Sequence, residues 1–409
     1  MSNSVSITHI KATLAGFKRG LRFIDYRESA TLAHELRTML QEIEENVDDP
    51  RLGLELVAAF LETDSSVLEN CDDSDGNIGE VYGYDAGETF VSYAGRCEDK
   101  DWLATLVLEL YKRDEYGIRD WLLDRAAEYL TEPILRKLVD QFWSYADRAS
   151  EDHRRLHWLL GIEAIARQLK DAPLFEKACL AAWPKQSTAS CLNIAEVYFD
   201  CGYPLIALKW LDRVSEDETF MSGERDELLL KVCLELDLGE RATETAWCIF
   251  RRFRDESTFS LLLSVIGEEN RAQVIADEAE VILETERLVY SDVRFLIDMG
   301  RIGDAERYLL SRSGQLNGDY YTELKPLAEV FEEAGRFLTS CVLYRALLDS
   351  ILSRARSKYY YHGVSYLHKL DELGPKVGDW GQLQNHEEYK SQLLAVHKRK
   401  VSFWGRYNR

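Results

Sequence analysis

The sequence predicts an all-α fold, a tetratricopeptide-like, right-handed superhelical array of helical hairpins (an α-solenoid). Three observations support it: apolar residues recur at helical spacing, strand-like alternation is nearly absent, and glycines recur at about the length of one helical hairpin. The chain has 409 residues, of which 46 % are hydrophobic and only 7 are proline. This composition excludes global disorder and allows a large buried core.

Helical periodicity is clearest in the middle of the chain. The segment DWLATLVLELYKR places Leu103, Leu106 and Leu110 on one broad apolar face. The segments RDELLLKVCLELDLGE and SDVRFLIDMGRIGDAERYLL repeat this spacing, and the first hundred residues also look helical, for example in ATLAHELRTMLQEIEENV. We therefore expect helices to dominate the chain.

Recurrent glycines indicate where paired helices turn. They lie 28 to 37 residues apart, close to the roughly 34 residues of a tetratricopeptide repeat. Glycine closes a turn, and a small residue five positions later (Ala207, Ala305 or Ser340) lets the second helix approach the first. The unequal spacing favours a degenerate solenoid over a regular tandem array, whereas in a generic helical bundle the spacing would be coincidental. The turn glycines are Gly202, Gly239, Gly267, Gly300 and Gly335.

Composition divides the chain into three predicted regions. Residues 1–98 form an N-terminal helical region, residues 99–350 the degenerate repeat array, and residues 351–409 the C-terminal helices with a basic tail. An acidic loop insert is predicted at residues 62–88, because this stretch holds nine acids, four glycines and neither Lys nor Arg.

Charge is distributed unevenly along the chain. The net charge of −22 repels nucleic acid and anionic membranes over most of the surface. Residues 395–409 carry five Lys or Arg and no acid, which leaves −27 on the rest of the chain. We therefore expect the body to attract a protein partner with a basic surface.

Cysteine usage and hydropathy bear on the cellular compartment. The eight cysteines are scattered without a C-x-x-C pair, and several lie in apolar helical stretches such as KACLAAW. We interpret them as reduced core residues of a cytoplasmic protein. No apolar run reaches the length of a membrane span and the N-terminus lacks the apolar core of a secretion signal, so no membrane partner is expected. The oligomeric state is left open.

The stretch CDDSDGNIGEVY resembles the centre of a calcium loop. Asp73, Asp75 and Gly76 supply its D-x-D-G core. With Gly76 at the sixth position, however, Cys71 falls at the first and Tyr82 at the twelfth, where acidic ligands are needed. We therefore interpret the stretch as a solvated acidic turn whose Asp side chains cap local amides, and keep Asp73 and Asp75 only as weak metal candidates.

His153 and His157 are the other weak metal candidates. They lie four residues apart on one predicted helix face, a spacing that can hold a metal. No third ligand is identifiable, and Arg154 stands where H-E-x-x-H has its Glu, so a helix start with two partly exposed histidines is favoured. No catalytic or nucleotide-binding signature is present, and we expect neither a cofactor nor an enzyme. An enzyme site assembled from distant helices is kept as a third hypothesis.

Basic and aromatic residues are interleaved near the end of the chain. Arg354, Arg356 and Lys358 stand beside four tyrosines in SRARSKYYYHGVSYLHKL, a pattern that can bind a nucleic-acid backbone and stack bases. The favoured alternative is an amphipathic terminal helix packed on the array. The tail HKRKVSFWGRYNR, with Phe403 and Trp404, either clamps the last helix onto the body or docks on an acidic partner.

Both ends of the chain resemble known families. The ending, YYYHGVSYLHKLDELGPKVGDW and HEEYKSQLLAVHKRKVSFW, and the insert FLETDSSVLENCDDSDGNIGEVY resemble a bacterial family of uncharacterised helical-repeat proteins. The ending is also similar to the C-terminal region of some bacterial SWIM-type zinc-finger proteins, but their C-x-C and C-x-H zinc motif is absent. The resemblance implies an all-helical scaffold and supplies no catalytic residues.

These observations predict a non-catalytic protein–protein interaction scaffold or regulatory subunit, whose acidic helical-repeat surface binds a basic partner. The alternative is an accessory protein that contacts nucleic acid through its basic, aromatic C-terminal region. The residues predicted to bind a partner are Asp72, Asp73, Asp75, Glu80, Arg354, Arg356, Lys358, Lys398, Arg399 and Lys400.

Overall fold

Two units of structure make up the chain. The computed structural model describes residues 2–18, 22–215 and 217–408, with side chains from residue 7 onward. Internal contacts divide the chain into Met1–Asp237 (unit 1) and Leu238–Arg409 (unit 2). The predicted boundaries after residues 98 and 350 therefore fall inside these units.

Unit 1 consists of helices joined by short turns. Its described residues contain no β-strand, and one isolated bridge joins Ile24 to Cys71. A π-helical turn (Val81–Asp85) and a 3-10 turn (Ala126–Glu128) interrupt the α-helices. The helices are α1 (Ser2–Lys18), α2 (Tyr26–Asn46), α3 (Pro50–Leu61), α4 (Asp64–Glu69), α5 (Asn77–Glu80), α6 (Ala86–Arg96), α7 (Lys100–Lys112), α8 (Trp121–Asp124), α9 (Glu132–Arg148), α10 (Asp152–Gln168), α11 (Ala172–Ala182), α12 (Thr188–Asp200), α13 (Pro204–Leu211) and α14 (Ser222–Glu235).

Unit 2 likewise consists of helices joined by turns, and its described residues contain no β-strand. Within the described chain, no helix has both the length and the hydropathy of a membrane span. The helices of unit 2 are α15 (Gly239–Arg252), α16 (Glu256–Ile266), α17 (Arg271–Glu284), α18 (Tyr290–Asp298), α19 (Ile302–Ser311), α20 (Tyr321–Glu333), α21 (Phe337–Ser353), α22 (Tyr360–Leu373), α23 (His386–His397) and α24 (Val401–Tyr407).

Many helices that follow one another in the chain also pack against one another. In unit 1 this holds for each successive pair from α9 to α13. In unit 2 it holds for α15 with α16, α18 with α19, α20 with α21, and α21 with α22. The predicted all-α fold of stacked helical pairs is therefore confirmed within each unit, while its right-handed superhelical twist stays a prediction.

Side chains at the helix starts explain several helix boundaries. Asp49 accepts a hydrogen bond from the N–H of Leu52 at 2.9 Å, and Pro50 occupies the first turn of α3. Asp255 and Asn385 begin α16 and α23 with capping boxes, in which the third residue of the helix bonds back to the cap. These caps satisfy N–H groups that a helix leaves unpaired.

Three hairpin turns share one backbone geometry. Gly202, Gly300 and Gly335 have φ angles of 79°, 73° and 71°, which glycine adopts without strain. The residue after each glycine donates its N–H to a carbonyl five residues back, as when Arg336 N bonds Phe331 O at 2.8 Å. These predicted turns are confirmed, together with the small buried residues five positions later, Ala207, Ala305 and Ser340.

The other two predicted turn glycines do not share this geometry. Gly239 is the first residue of α15, and Asp237 takes the left-handed backbone instead, with φ of 55°. Ala242, five residues after Asp237, is buried like its counterparts in the other hairpins. The sequence hides this turn because an aspartate occupies a position that usually signals itself by glycine. Gly267 does end α16, but a 3-10 turn follows it.

The predicted acidic loop at residues 62–88 is mainly helical, so this expectation is wrong. The helices α4 to α6 and the π-helical turn leave only residues 62–63 and 70–76 of this stretch outside helices. Ile78, Tyr82 and Ala86 are fully buried and form an apolar stripe at spacings of four residues. This stripe is a helical signal that the abundance of acids and glycines obscured.

A buried ion pair joins separate segments of unit 1. The side chains of Arg119 and Asp64 are 2 % and 1 % exposed, and Nε of Arg119 lies 2.7 Å from Oδ2 of Asp64. The other two guanidinium nitrogens donate to the carbonyl oxygens of Leu110 and Leu61, each at 2.9 Å. The pair therefore ties the end of α3 and the start of α4 to α7 and to the loop before α8.

The cysteines mostly fill the core, as predicted. Six of the eight are buried as free thiols. Cys201 is half-buried, and Cys248, on α15, is exposed, so the core assignment is wrong for Cys248.

We expect Gly335→Ala to destabilise the protein by about 1–2 kcal/mol, because the left-handed backbone strains an L side chain although no atom lies within 4 Å of the added Cβ. Gly239→Ala is the matched control: its added Cβ is equally free, its φ is not left-handed, and alanine favours a helix by up to about 1 kcal/mol. Urea unfolding followed by circular dichroism measures both free energies. Equal stability of the two variants would contradict the assigned turns.

Candidate functional site

Residues 70–76, the acidic turn, are held against the segment that precedes α2. The N–H of Ile24 donates to the carbonyl of Asn70 at 2.9 Å, and the N–H of Asp72 donates to the carbonyl of Ile24 at 2.9 Å. Cys71, between these two contacts, is buried. The backbone of the turn is therefore fixed, and its acidic side chains have defined positions.

Most carboxylates of the acidic turn bond inside the turn. Asp73 accepts the N–H groups of Ile78 and Gly79 at 2.8 Å each and so caps α5. Asp72 accepts the N–H of the serine two residues later at 3.1 Å. Asp75 is exposed and has no hydrogen-bond partner among the described residues. The interpretation as a turn with capped amides is therefore right for residues 71–76 of the stretch, whereas residues 77–82 are helical. Among its three aspartates, Asp75 alone caps no amide in the described residues.

Glu80, the fourth predicted acidic contact, is neutralised by a cation from α2. Nη2 of Arg37 lies 2.6 Å from Glu80, and Nε of Arg37 lies 2.6 Å from Asp85. The sequence contained no sign of this partner, because Arg37 is distant in the chain. Of the four predicted acidic contacts, Asp75 therefore keeps its charge available to a partner protein.

Tyr116 forms an exposed aromatic site near two carboxylates. Asp114 shapes its loop by accepting three backbone N–H groups at 2.9 to 3.1 Å. The tyrosine is 46 % exposed. Desolvation and the charges of Glu69 and Glu115 raise the pKa of Tyr116. We define the acidic face as this site, namely Glu69, Glu115 and Tyr116.

The acidic face has little local signal in the sequence. Glu69 and Tyr116 are far apart in the chain, and the buried pair of Asp64 and Arg119 brings their segments together. The one hint is the segment DEYG, in which two acids precede a tyrosine and a turn glycine.

The two histidines of the predicted pair lie in different surroundings. His157 stacks on Tyr111 with ring centroids 4.1 Å apart, and its Nε2 lies 3.1 Å from the carbonyl oxygen of Tyr111. Burial lowers the pKa of His157, while His153 is exposed. Within the described part of the chain, no three His, Cys, Asp or Glu side chains are gathered for a metal ion, and that includes Asp73 and Asp75.

The predicted basic contacts fall into two classes. Arg354 pairs with Asp319 and is therefore engaged within unit 2. The other five cations reach the surface, and none of them forms an ion pair with an acid among the described residues. We call them the basic end: Arg356, Lys358, Lys398, Arg399 and Lys400.

Packing of α24 along α22 gathers the basic end. Phe403 is fully buried, with its ring centroid 5.6 Å from that of Tyr360, and Tyr407 stacks on His368 at 4.9 Å. The contact of Phe403 is with the start of α22, and the contact of Tyr407, later in α24, is with a later residue of α22. The two helices therefore run parallel, and the residues that precede each of them lie at the same end. The tail thus clamps the last helix onto the body, one of its two predicted roles. Arg409, counted in the basic tail, lies outside the described residues.

The four tyrosines beside the basic end divide evenly between core and surface. Tyr360 and Tyr366 are buried, at 4 % and 6 % exposure. Tyr359 and Tyr361 are 39 % and 56 % exposed. The favoured structural interpretation is therefore right for two of them, and the other two are available for stacking.

Asp120, in the loop before α8, should make the stability of the folded protein depend on pH. Desolvation and the charges of Asp114 and Asp124 raise the pKa of Asp120 to about 6, although part of its side chain is exposed. Because this folded value lies above the unfolded value of about 3.9, the group favours folding most below pH 4, and this contribution is lost as the pH rises through 6. We expect Asp120→Asn to remove this loss, so its Tm advantage over the natural protein grows between pH 4 and 7.

Thermal unfolding of both proteins across this range measures the effect, with Asp75→Asn as the control. Asp75 is exposed without a partner among the described residues, so its Tm difference from the natural protein should vary little with pH. Identical pH profiles for Asp120→Asn and Asp75→Asn would refute the assignment.

Comparison with known proteins assigns the chain to a family. A model described as "Family of unknown function (DUF6880)" matches residues 2–172 and 136–406. No curated protein matches the chain. One solved structure is similar to this chain, a "Circular tandem repeat protein with novel repeat topology and enhanced subunit contact surfaces". The match has 13 % sequence identity and covers 98 % of this chain and 91 % of that chain, with a TM-score of 0.16. Bacterial origin and the similarity to SWIM-type proteins stay predictions. Because the family model spans most of its length, the chain belongs to this family of unknown function, DUF6880.

Proposed function

We propose that this protein is a non-catalytic scaffold or regulatory subunit that binds a basic segment of a partner protein on its acidic face. The observation that carries the proposal concerns Tyr116. Its side chain is 46 % exposed, and the negative charges of Glu69 and Glu115 act on it and raise its pKa. An aromatic ring with carboxylates around it suits a Lys or Arg side chain, which can lie over the ring and bond the acids.

The charge of the whole chain supports this partner chemistry. A net charge of −22 attracts a basic segment over a distance, and salt weakens that attraction. Asp72 and Asp73, whose side chains cap backbone amides, are further acids on this part of unit 1. Asp75, exposed and without a hydrogen-bond partner among the described residues, adds to this negative charge as well.

We expect the triple variant Tyr116→Ala, Glu69→Gln, Glu115→Gln to bind a fluorescent Lys- and Arg-rich peptide about tenfold more weakly, since a cation over an aromatic ring contributes roughly 0.5–2 kcal/mol. Fluorescence anisotropy at about 50 mM salt, where surface charges are weakly screened, measures the affinity.

The matched control is Tyr361→Ala, Glu280→Gln, Glu387→Gln, which removes the same charge and an exposed tyrosine from unit 2. Its affinity should fall much less. An equal loss of peptide affinity in both triple variants would show that net charge alone accounts for the loss. An absence of saturable peptide binding to the natural protein would exclude the acidic face as a binding site.

A second candidate function uses the basic end to bind single-stranded nucleic acid. The observation in its favour is that the five cations of the basic end have no acidic partner among the described residues, in a chain with 72 acids and 50 Lys or Arg. Tyr359 and Tyr361, both exposed, lie next to them and can stack bases. The proposal is ranked second because the rest of the chain repels phosphates.

For this candidate we expect the triple variant Lys398→Gln, Arg399→Gln, Lys400→Gln to bind labelled oligo-dT more weakly. The slope of log K against the logarithm of the salt concentration should become shallower by roughly 0.7 for each phosphate that the variant no longer neutralises. Anisotropy titrations between about 50 and 200 mM salt provide the slope. The control Lys112→Gln, Lys137→Gln, Lys325→Gln removes the same charge from other helices. Failure of the natural protein to bind at the lowest salt would exclude this function.

A further inference from the structure

Unit 2 contains a cavity of about 570 Å³ that neither proposed partner surface uses. One wall is the loop at residues 313–318, another is α21, and Leu383 closes a third side. The loop lies directly on α21, since a Cβ on Gly318 would come within 2.0 Å of the carbonyl oxygen of Ala346. The polar groups in its walls are Ser313, Asn317, Arg345, Asp349, Ser350 and Arg354.

Arg345 is held in an unusual setting in the wall of this cavity. It is only 9 % exposed, and its guanidinium lies over the rings of Trp380 and Tyr389, 4.4 Å from each ring centre. Nη1 donates to the carbonyl oxygen of Gln384 at 2.8 Å. Nε and Nη2 are buried and have no hydrogen-bond partner among the described residues. Two donors of a buried cation are therefore unsatisfied.

The nearby carboxylate does not satisfy these donors. Asp349 lies one helical turn after Arg345, but it accepts the hydroxyl of Tyr389 at 2.7 Å and forms no ion pair with Arg345 among the described contacts. Burial away from water raises the pKa of the Asp349 carboxyl group. Arginine stays charged in proteins, and a buried cation with unpaired donors is costly, so this arrangement calls for an anionic partner.

The unpaired edge of the Arg345 guanidinium indicates which kind of anion would fit it. The rings of Trp380 and Tyr389 pack on the guanidinium, and the carbonyl oxygen of Gln384 accepts a hydrogen bond from Nη1. The remaining edge presents Nε and Nη2 side by side, a fork that matches two oxygens of one carboxylate or phosphate. We propose that the cavity binds a small ligand through a carboxylate or phosphate group held by this edge of Arg345.

Entry of the ligand requires a local movement. Because Nε and Nη2 have no contact with solvent, a ligand can reach them only after Leu383, in the non-helical segment of residues 377–385, shifts aside while Trp380 and Gln384 keep their contacts with the guanidinium. This segment carries Trp380, Leu383 and Gln384, and Gly381, with φ of 56°, forms a bend within it. The side-chain amide of Asn317 then offers N–H donors to the rest of the ligand, whereas the hydroxyl of Ser350 already donates to Asp319. The site is independent of the acidic face, and its Arg354 is already paired with Asp319.

The test titrates the full-length protein with acetate, succinate and inorganic phosphate at constant ionic strength, using calorimetry and thermal unfolding. We expect saturable binding and a rise in Tm for the carboxylates or for phosphate, and the arm that responds identifies the group. Hydrogen exchange of residues 377–385 should change on binding. No saturable binding of any probe up to about 50 mM, a range that includes millimolar Kd values, would overturn the proposal.

Variants separate ligand binding from a structural role of Arg345. Arg345→Lys keeps the charge but loses the two-donor edge, so binding should weaken about tenfold. Arg345→Met should abolish binding, whereas Arg356→Met, outside the cavity, should leave it unchanged. Asp349→Asn removes a neighbouring negative charge and should tighten binding even if the methionine variant does not fold. Equal affinities of the natural protein, Arg345→Lys and Asp349→Asn would contradict the assignment.

Discussion

The buried pair of Arg119 and Asp64 is the constraint on which the acidic side of unit 1 depends. Withdrawing both charges from water costs several kcal/mol, which is offset only when they are paired and fully hydrogen-bonded. The carbonyl oxygens of Leu61 and Leu110 complete the bonding of the guanidinium. Since Asp64 begins α4 and Arg119 lies in the loop of Tyr116, the same pair determines how the carboxylate at the end of α4 faces the tyrosine.

The number of acids in a segment is a poor measure of the charge that a partner can meet. Asp73 caps α5 and Glu80 is paired with Arg37, so only Asp75 of the predicted acidic contacts is left without a cap or a cation among the described residues. The basic end shows the reverse case, in which few cations are present but none has an acidic partner in the described part of the chain. Local pairing, rather than net charge, therefore decides which residues are candidates for binding.

The helical class and the turns at Gly300 and Gly335 could be predicted, because a left-handed backbone favours one residue type. The turn at Asp237 could not, since it departs from that preference, and the helices of the acidic insert were obscured by acids and glycines. The surroundings of Tyr116 and of Arg345 arise from segments distant in the chain. Local patterns do not encode such contacts, so the most informative site residues became visible only in the folded protein.

A stack of helical hairpins has an apolar flank at its end, and an uncovered flank invites another copy to add to the stack. On α22 this place is taken by α24, a helix of 7 residues. A Cβ on Gly363 would lie 3.1 Å from the ring of Phe403, so the absence of a side chain there helps α24 to seat closely. A short helix thus covers apolar surface of α22 that a second helix would otherwise have to bury.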